Sequence, residues 1–289
     1  MQEIQNNPTT QRGYYDLARG LAAQGQLANG FDFLEASLGR PLSPESALEL
    51  ARVANSQGVE GDINGSGYRS RNSIRQDAIS LFRQLVSRYP NNPTVRSEFL
   101  DILKLWGQPE ELIAFYRQII RQEPTNYSLS WQLARELAKN NQLNEAIVVY
   151  DLLLTQGTGE PIIYIEFGDL LTRNQQSDRA LQVYLEGIRA FPRNIPNDRR
   201  CHAVRPTGYD RLVQLLDRQN RLDKILTLLE QTIPNPNPDI YIGLALGLAD
   251  RGHRTQAEAV NQHLKERYPD TESFEGEAET WRSPCGAYY

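Results

Sequence analysis

Between Pro161 and Asn194 the chain reads PIIYIEFGDLLTRNQQSDRALQVYLEGIRAFPRN, a stretch of 34 residues. Its aromatic, small and apolar residues stand at offsets that leave little choice of fold. Tyr164, Phe167, Leu171 and Tyr184 recur at helical spacing, as expected of the seam between two antiparallel helices. Gly168 and Ala180 are small, as needed where two such helices approach most closely. Pro192 stops the second helix and starts the turn into whatever follows. The stretch predicts one helix–turn–helix unit.

The pattern recurs along the chain. The register predicts repeats near 11–43, 44–92, 93–126, 127–160, 161–194, 206–237 and 238–271. A first repeat carries Tyr14, Leu17, Ala18, Leu21, Gly25 and Leu34. The second opens on Ser43-Pro44 and carries Ala47, Leu50, Ala51, Ala78, Phe82 and Leu85. An insertion at 59–73 lies between its helices. The third and fourth keep the full period, with Phe99, Leu103, Gly107 and Tyr116, then Leu133, Ala134, Leu137, Ala146 and Tyr150. An insertion at 195–205 precedes the sixth, which carries Tyr209, Leu212 and Leu216. The seventh carries Tyr241, Leu244, Leu248, Gly252 and Ala257. Proline at 44, 93, 161, 206 and 238 supports the register, since the first helical position favours it and a helix interior does not. Residues 1–10 are expected to fray, and 272–289 fit no repeat.

This pattern resembles the tetratricopeptide repeat family, with seven positions agreeing in the 161–194 window. The resemblance covers about residues 11–271. It implies an all-α fold, a right-handed superhelical solenoid of about seven helix–turn–helix repeats, with first helices lining a concave groove. Such a scaffold binds a partner protein or peptide segment and helps to assemble multi-protein complexes, without catalysis of its own. The groove positions it implies include Tyr15, Arg19, Arg52, Trp131, Arg135, Asp169, Ile242 and Leu246. Asp101, Asp210, Gln214, Asp217 and Ala249 belong to the same set. Trp131 either packs on the neighbouring repeat or anchors a bound segment, with Arg135 one turn away to engage a carboxylate or stack. Family members that clamp a chaperone's C-terminal carboxylate use Lys, Asn and Arg on their first three repeats. Here Tyr15, Arg19, Glu49, Thr94 and Glu98 stand there instead, so that clamp is absent.

Charge narrows the function classes. A net charge of -5 and a pI near 5.4 argue against a general nucleic-acid binder. Arg69, Arg71, Arg199, Arg200 and Arg205 keep a local basic patch open. No apolar run approaches the ~18 residues that cross a bilayer, and MQEIQNNPTTQ lacks the apolar core of a signal peptide. The expectation is a soluble protein, cytoplasmic by default, or else an exported mature form whose signal has been removed.

Other chemistry is thin. Asp62-Ile-Asn64-Gly-Ser66-Gly67 is similar to the opening of a calcium loop. Its twelfth position is Ser73, where a bidentate Glu is needed, so neither a metal nor a cofactor is expected. Cys201 and His202 are adjacent, a spacing that rarely lets nucleophile and base meet. Cys201 and Cys285 are the only cysteines and form a disulfide if the tail folds back across two repeats. Ile242, Leu246 and Ala249 form an apolar strip, to be covered by the chain's own tail through Phe274 or Trp281, or by a partner segment. The reading that results is a non-enzymatic interaction scaffold. Its alternative is a regulatory or substrate-recruiting subunit of a separate enzyme or export machine.

Overall fold

A computed structural model describes Ile4 and residues 11–60, 71–157, 160–192 and 207–270. It divides into two compact units, Met1–Ile119 and Ile120–Tyr289. The described residues contain α-helix, two short 3-10 turns and no strand.

The first unit opens with α1 (Gln11–Gln24), a 3-10 turn at Leu27–Asn29 and α2 (Gly30–Leu38). Next come α3 (Pro44–Glu60), α4 (Arg71–Arg88), α5 (Pro93–Leu105) and α6 (Pro109–Gln122). The second holds α7 (Tyr127–Lys139), α8 (Leu143–Thr155), α9 (Pro161–Arg173), α10 (Ser177–Ala190) and α11 (Gly208–Arg218). A 3-10 turn at Leu222–Lys224 leads into α12 (Ile225–Thr232), then α13 (Pro238–Asp250) and α14 (Arg254–Arg267). These helices pair in sequence, α7 with α8, α9 with α10 and α13 with α14, and each pair stacks on the next within its unit.

Short polar signals start the first helices. Asn92 caps α5 through the amides of Thr94 and Val95, Asn126 caps α7 through Leu129, and Asn237 caps α13 through Ile240. Each supplies an acceptor to an amide that has no partner within the helix. Proline stands in the first turn of α5, α9 and α13. The sixth repeat departs from the proline register. Thr207 is its N-cap and Gly208 its first helical residue, with Thr207 and Asp210 in a reciprocal capping box. That box satisfies two amides at once, and α11 is shorter than α13 by its first turn's beginning, 11 residues against 13. In the second repeat, α3 runs to Glu60 and α4 starts at Arg71, so both ends of the 59–73 insertion are helical.

The described turns inside the pairs are closed the same way. One residue is left-handed: Gly25, Gly107, Asn141, Gln175, Asn220 and Gly252 in the first and the third to seventh pairs. The next amide then bonds back to the first helix, as in Gln108 to the Leu103 carbonyl, Gln142 to Leu137 and Gln176 to Leu171, at 2.8–2.9 Å. This is the six-to-one bond of a Schellman turn. Glutamine is the residue least suited to that conformation, at φ 61°. Gln175→Gly should therefore raise stability by roughly 0.5–1 kcal/mol, read as a higher urea midpoint at unchanged slope.

The core follows the sequence period. Phe82, Tyr116, Tyr150 and Tyr184, each 34 residues after the last, are all buried on second helices. Ala78, Ala146 and Ala180, four residues earlier, are fully buried. Gly168 faces Tyr184 so closely that a Cβ there would lie 2.1 Å from the ring. Gly243 stands against the Tyr209 ring in the same way, at 2.5 Å.

Burial also sets an alkaline limit. The phenols of Tyr150, Tyr184 and Tyr209 are pushed well above the ordinary value, first by burial and then by Glu166, Asp169 and Asp239 respectively. A raised folded-state value means that stability is whole below the unfolded pKa, near 10, and is lost as pH rises beyond it. Above pH ~10, ionisation of these three phenols should coincide with loss of helical ellipticity, not precede it.

Candidate functional site

The side chains expected to line the groove sit on first helices. In the first unit, Tyr15 and Arg19 are exposed on α1. Arg52 on α3 turns its Nε to both carboxylate oxygens of Glu98 on α5, at 3.0 Å each, and its Nη2 also reaches Glu98. Glu49 adds a contact at 3.5 Å. The hydrogen bond to Glu98, more than its charge, raises the Arg52 pKa further. Arg52 thus bridges two repeats.

In the second unit the central feature is Glu166 on α9. Trp131 of α7 donates its Nε1–H to Glu166 Oε2 at 2.7 Å, and the Tyr150 hydroxyl of α8 donates to the same oxygen at 3.0 Å. Arg135 Nε lies 3.4 Å from Glu166 Oε1, and its guanidinium carbon lies 5.4 Å from the centre of the Trp131 ring. One carboxylate therefore gathers an indole, a phenol and a guanidinium from the preceding repeat. Three residues on, Asp169 accepts from the Tyr184 hydroxyl and pairs with Arg211 Nη2 of α11, both at 2.8 Å. The first helix of the fifth repeat holds one neighbour through Glu166 and the other through Asp169.

Repeat geometry explains why these groups meet. Positions five and nine of a first helix reach position six of the next one. Trp131 and Arg135 reach Glu166 in this way, and Asp169 reaches Arg211. Farther along, Asp210 caps its own helix and stands 4.0 Å from Arg251, and Asp217 lies 3.6 Å from His253. Ile242 and Leu246, with Ala249, remain partly exposed along α13. Trp131 itself is half-buried, so it packs on the neighbouring repeat while one edge stays open.

Glu166 and Arg211 were not among the residues singled out in the sequence. Glu166 lies one period plus one residue after Trp131, and four after Ile162 on the same helix face. That spacing was the available signal. Several candidates lie outside the described residues: Cys201, His202 and Cys285; Asp62, Asn64 and Ser66; Arg69, Arg199, Arg200 and Arg205; Phe274 and Trp281. Among the described residues no cluster of His, Cys, Asp or Glu has the form of a metal site, and no helix is long and apolar enough to cross a membrane.

The described helices form an all-α array of stacked helix pairs. The chain is similar in structure to solved tetratricopeptide repeat proteins. One is a tetratricopeptide repeat protein from Parabacteroides merdae, at 13% identity and TM-score 0.41, covering 90% of this chain and 95% of that one. Another is YrrB, described as a TPR protein with an unusual peptide-binding site, at 15% identity and TM-score 0.38, covering 65% and 93%. The Naa15/Naa10 complex bound to HypK-THB matches at 16% and TM-score 0.48, covering 94% of this chain and 39% of that one. No protein-family model and no curated protein matches the sequence.

Proposed function

We propose that the chain is a protein–protein interaction scaffold that holds an extended partner segment on its first-helix face. The observation that supports this is the cluster around Glu166. The indole of Trp131 and the guanidinium of Arg135 are fixed by bonds to one carboxylate, yet the Arg135 side chain is still 48% exposed. Side chains held in place before binding lose little conformational freedom when a partner arrives. Trp and Arg are the residue types that most often dominate such interfaces. From Trp131 the face runs past Asp169, Asp210 and Asp217, each already paired within the chain, to Ile242 and Leu246, so it suits a segment with an acidic or aromatic group at one end and apolar side chains at the other. In the first unit, Tyr15, Arg19 and Arg52 are exposed on the corresponding face, with Arg52 bonded to Glu98.

Affinity capture followed by mass spectrometry identifies the partner, and calorimetry then tests the face. Trp131→Ala with Arg135→Ala should cost about 2 kcal/mol or more of binding free energy, at unchanged helical content. Substitutions in the 59–73 segment should matter less. Loss of binding in those variants, with the Trp131 and Arg135 variants intact, makes the insertions the recognition elements.

A further inference from the structure

We infer that the seventh repeat is held on the sixth more firmly at mildly acidic than at mildly alkaline pH, because His253 and His263 face Asp217 and Glu230 of the sixth repeat. The inference does not depend on the partner-binding reading above.

The chain has three histidines. The two described ones both belong to the seventh repeat, His253 as the N-cap of α14 and His263 within that helix. Each meets a carboxylate of the repeat before. His253 Nε2 lies 3.6 Å from Asp217 Oδ1 near the end of α11, and His263 Nε2 lies 2.8 Å from Glu230 Oε1 in the last turn of α12. The preceding junction makes the same kind of contact with arginine: Arg211 and Arg221 of the sixth repeat pair with Asp169 and Asp178 of the fifth. Arg221 and His253 even occupy one repeat position, the residue that follows the left-handed turn at Asn220 and at Gly252. A guanidinium keeps its charge whenever the protein is folded, whereas imidazole changes charge between about pH 5 and 8. The charge across the sixth–seventh junction therefore depends on pH where that across the fifth–sixth does not.

Glu230 is the centre of the larger cluster. Besides facing His263, its Oε1 accepts from the Tyr241 hydroxyl of α13 at 2.9 Å and from Arg267 Nη1 of α14 at 3.0 Å. The Tyr241 ring centre stands 5.5 Å from that of His263 and 6.3 Å from that of Tyr268. Burial alone would raise the Glu230 carboxyl, but Tyr241, His263 and Arg267 outweigh it and hold it below the ordinary carboxylate range. The Tyr241 phenol is pushed up, first by burial and then by Glu230, and stays neutral. Glu230 is thus ionised throughout the range in which an imidazole titrates. A carboxylate only accepts, so His263 must offer it Nε2–H. Neutral imidazole does so in one of its two tautomers; imidazolium does so always and adds a full charge. That charge also offsets the unfavourable meeting of a carboxylate with the negative end of α12.

Around His253 the charged groups are Asp217 of α11, Asp250 and Arg251 at the end of α13, and Arg254 beside it on α14. Arg251 stands 4.0 Å from Asp210, and Arg267 keeps Glu230 paired when His263 is neutral. The junction therefore loosens, without opening, as pH rises. The contribution of the two imidazoles is whole below the ordinary imidazole value, near 6.5, and fades above it. Ile242 and Leu246 belong to the seventh repeat, so the apolar end of the first-helix face is held by the same titration.

The test is hydrogen exchange of the full chain, read by peptide mass spectrometry at pH ~6 and pH ~8, either side of that value, and corrected for the intrinsic pH dependence of amide exchange. Protection of α13 and α14 should be about two- to fivefold greater at the lower pH, as partly exposed ion pairs give, while that of α7 to α10 stays constant. The difference should vanish in the double variant His253→Gln, His263→Gln. Glu230→Gln keeps an acceptor but removes the charge, and should leave only the share that His253 contributes. Equal protection of α13 and α14 in the parent at the two pH values overturns the inference. So does a difference of the same size in α7 to α10, or one that survives in the double variant.

Discussion

Gly168→Leu should lower the stability of the second unit by roughly 1–3 kcal/mol or more, the largest loss expected of any single core substitution considered. A Cβ at residue 168 would lie 2.1 Å from Tyr184 Cε1 and 2.5 Å from Cζ, well inside contact distance. The ring cannot swing clear. It is 2% exposed, and its hydroxyl is tied to Asp169, which pairs in turn with Arg211. To admit the side chain, α9 and α10 must separate or Tyr184 must abandon that bond. Either change also loosens the fifth repeat's hold on the sixth. The measurement is urea unfolding followed by ellipticity. Tyr184→Leu in the Gly168→Leu background should recover part of the loss, because the clash is with the ring. Wild-type stability in Gly168→Leu would mean that the two helices do not approach closest there.

Glu166→Ala should cost on the order of 1–3 kcal/mol. The change removes one acceptor and strands two donors, Trp131 Nε1–H and the Tyr150 hydroxyl. Tyr150 is almost wholly buried and has little access to water in exchange. The contact of Arg135 adds less, because its side chain is nearly half exposed and solvent screens such pairs. Glu166→Gln keeps one oxygen acceptor and should fall between the parent and the alanine variant. A double-mutant cycle with Trp131→Phe isolates the indole bond. Phenylalanine in place of Trp131 should be costly alone and nearly free once Glu166 is alanine. Full additivity would show that Trp131 and Glu166 do not interact in solution, which would also remove the fixed cluster that supports the partner-binding reading.

Much of the fold was written in the spacing of a few residue types. Aromatic residues at 82, 116, 150 and 184 mark the second helices because a seam repeats whenever the same pair is stacked again. Gly168, Ala146 and Ala180 mark the close approaches because only small side chains fit there. Asn92, Asn126 and Asn237 mark first-helix starts because their caps act within three residues of chain. Such features are local, or repeat at one period, and a single sequence displays them without its coordinates. The start of α11 was misplaced because Pro206 fits the proline register, whereas the capping box of Thr207 and Asp210 sets the first turn.

The site was less legible, and the reason is physical. Arg52, Arg135 and Asp169 read as free groove charges because a sequence gives the face of a helix but not what stands opposite. Tertiary structure brings Glu98, Glu166 and Arg211 to them from the next repeat. Whether position nine of one helix meets position six of the next depends on the stacking angle and on side-chain rotamers, which no period encodes. The sequence by itself determined that helix pairs form, where they turn and which side chains fill their seams, since those choices are made by local propensity and burial. Only the tertiary structure decided that Trp131 and Arg135 share one carboxylate and that His253 and His263 face carboxylates of the preceding repeat. Both facts depend on distances between helices that the chain does not connect locally.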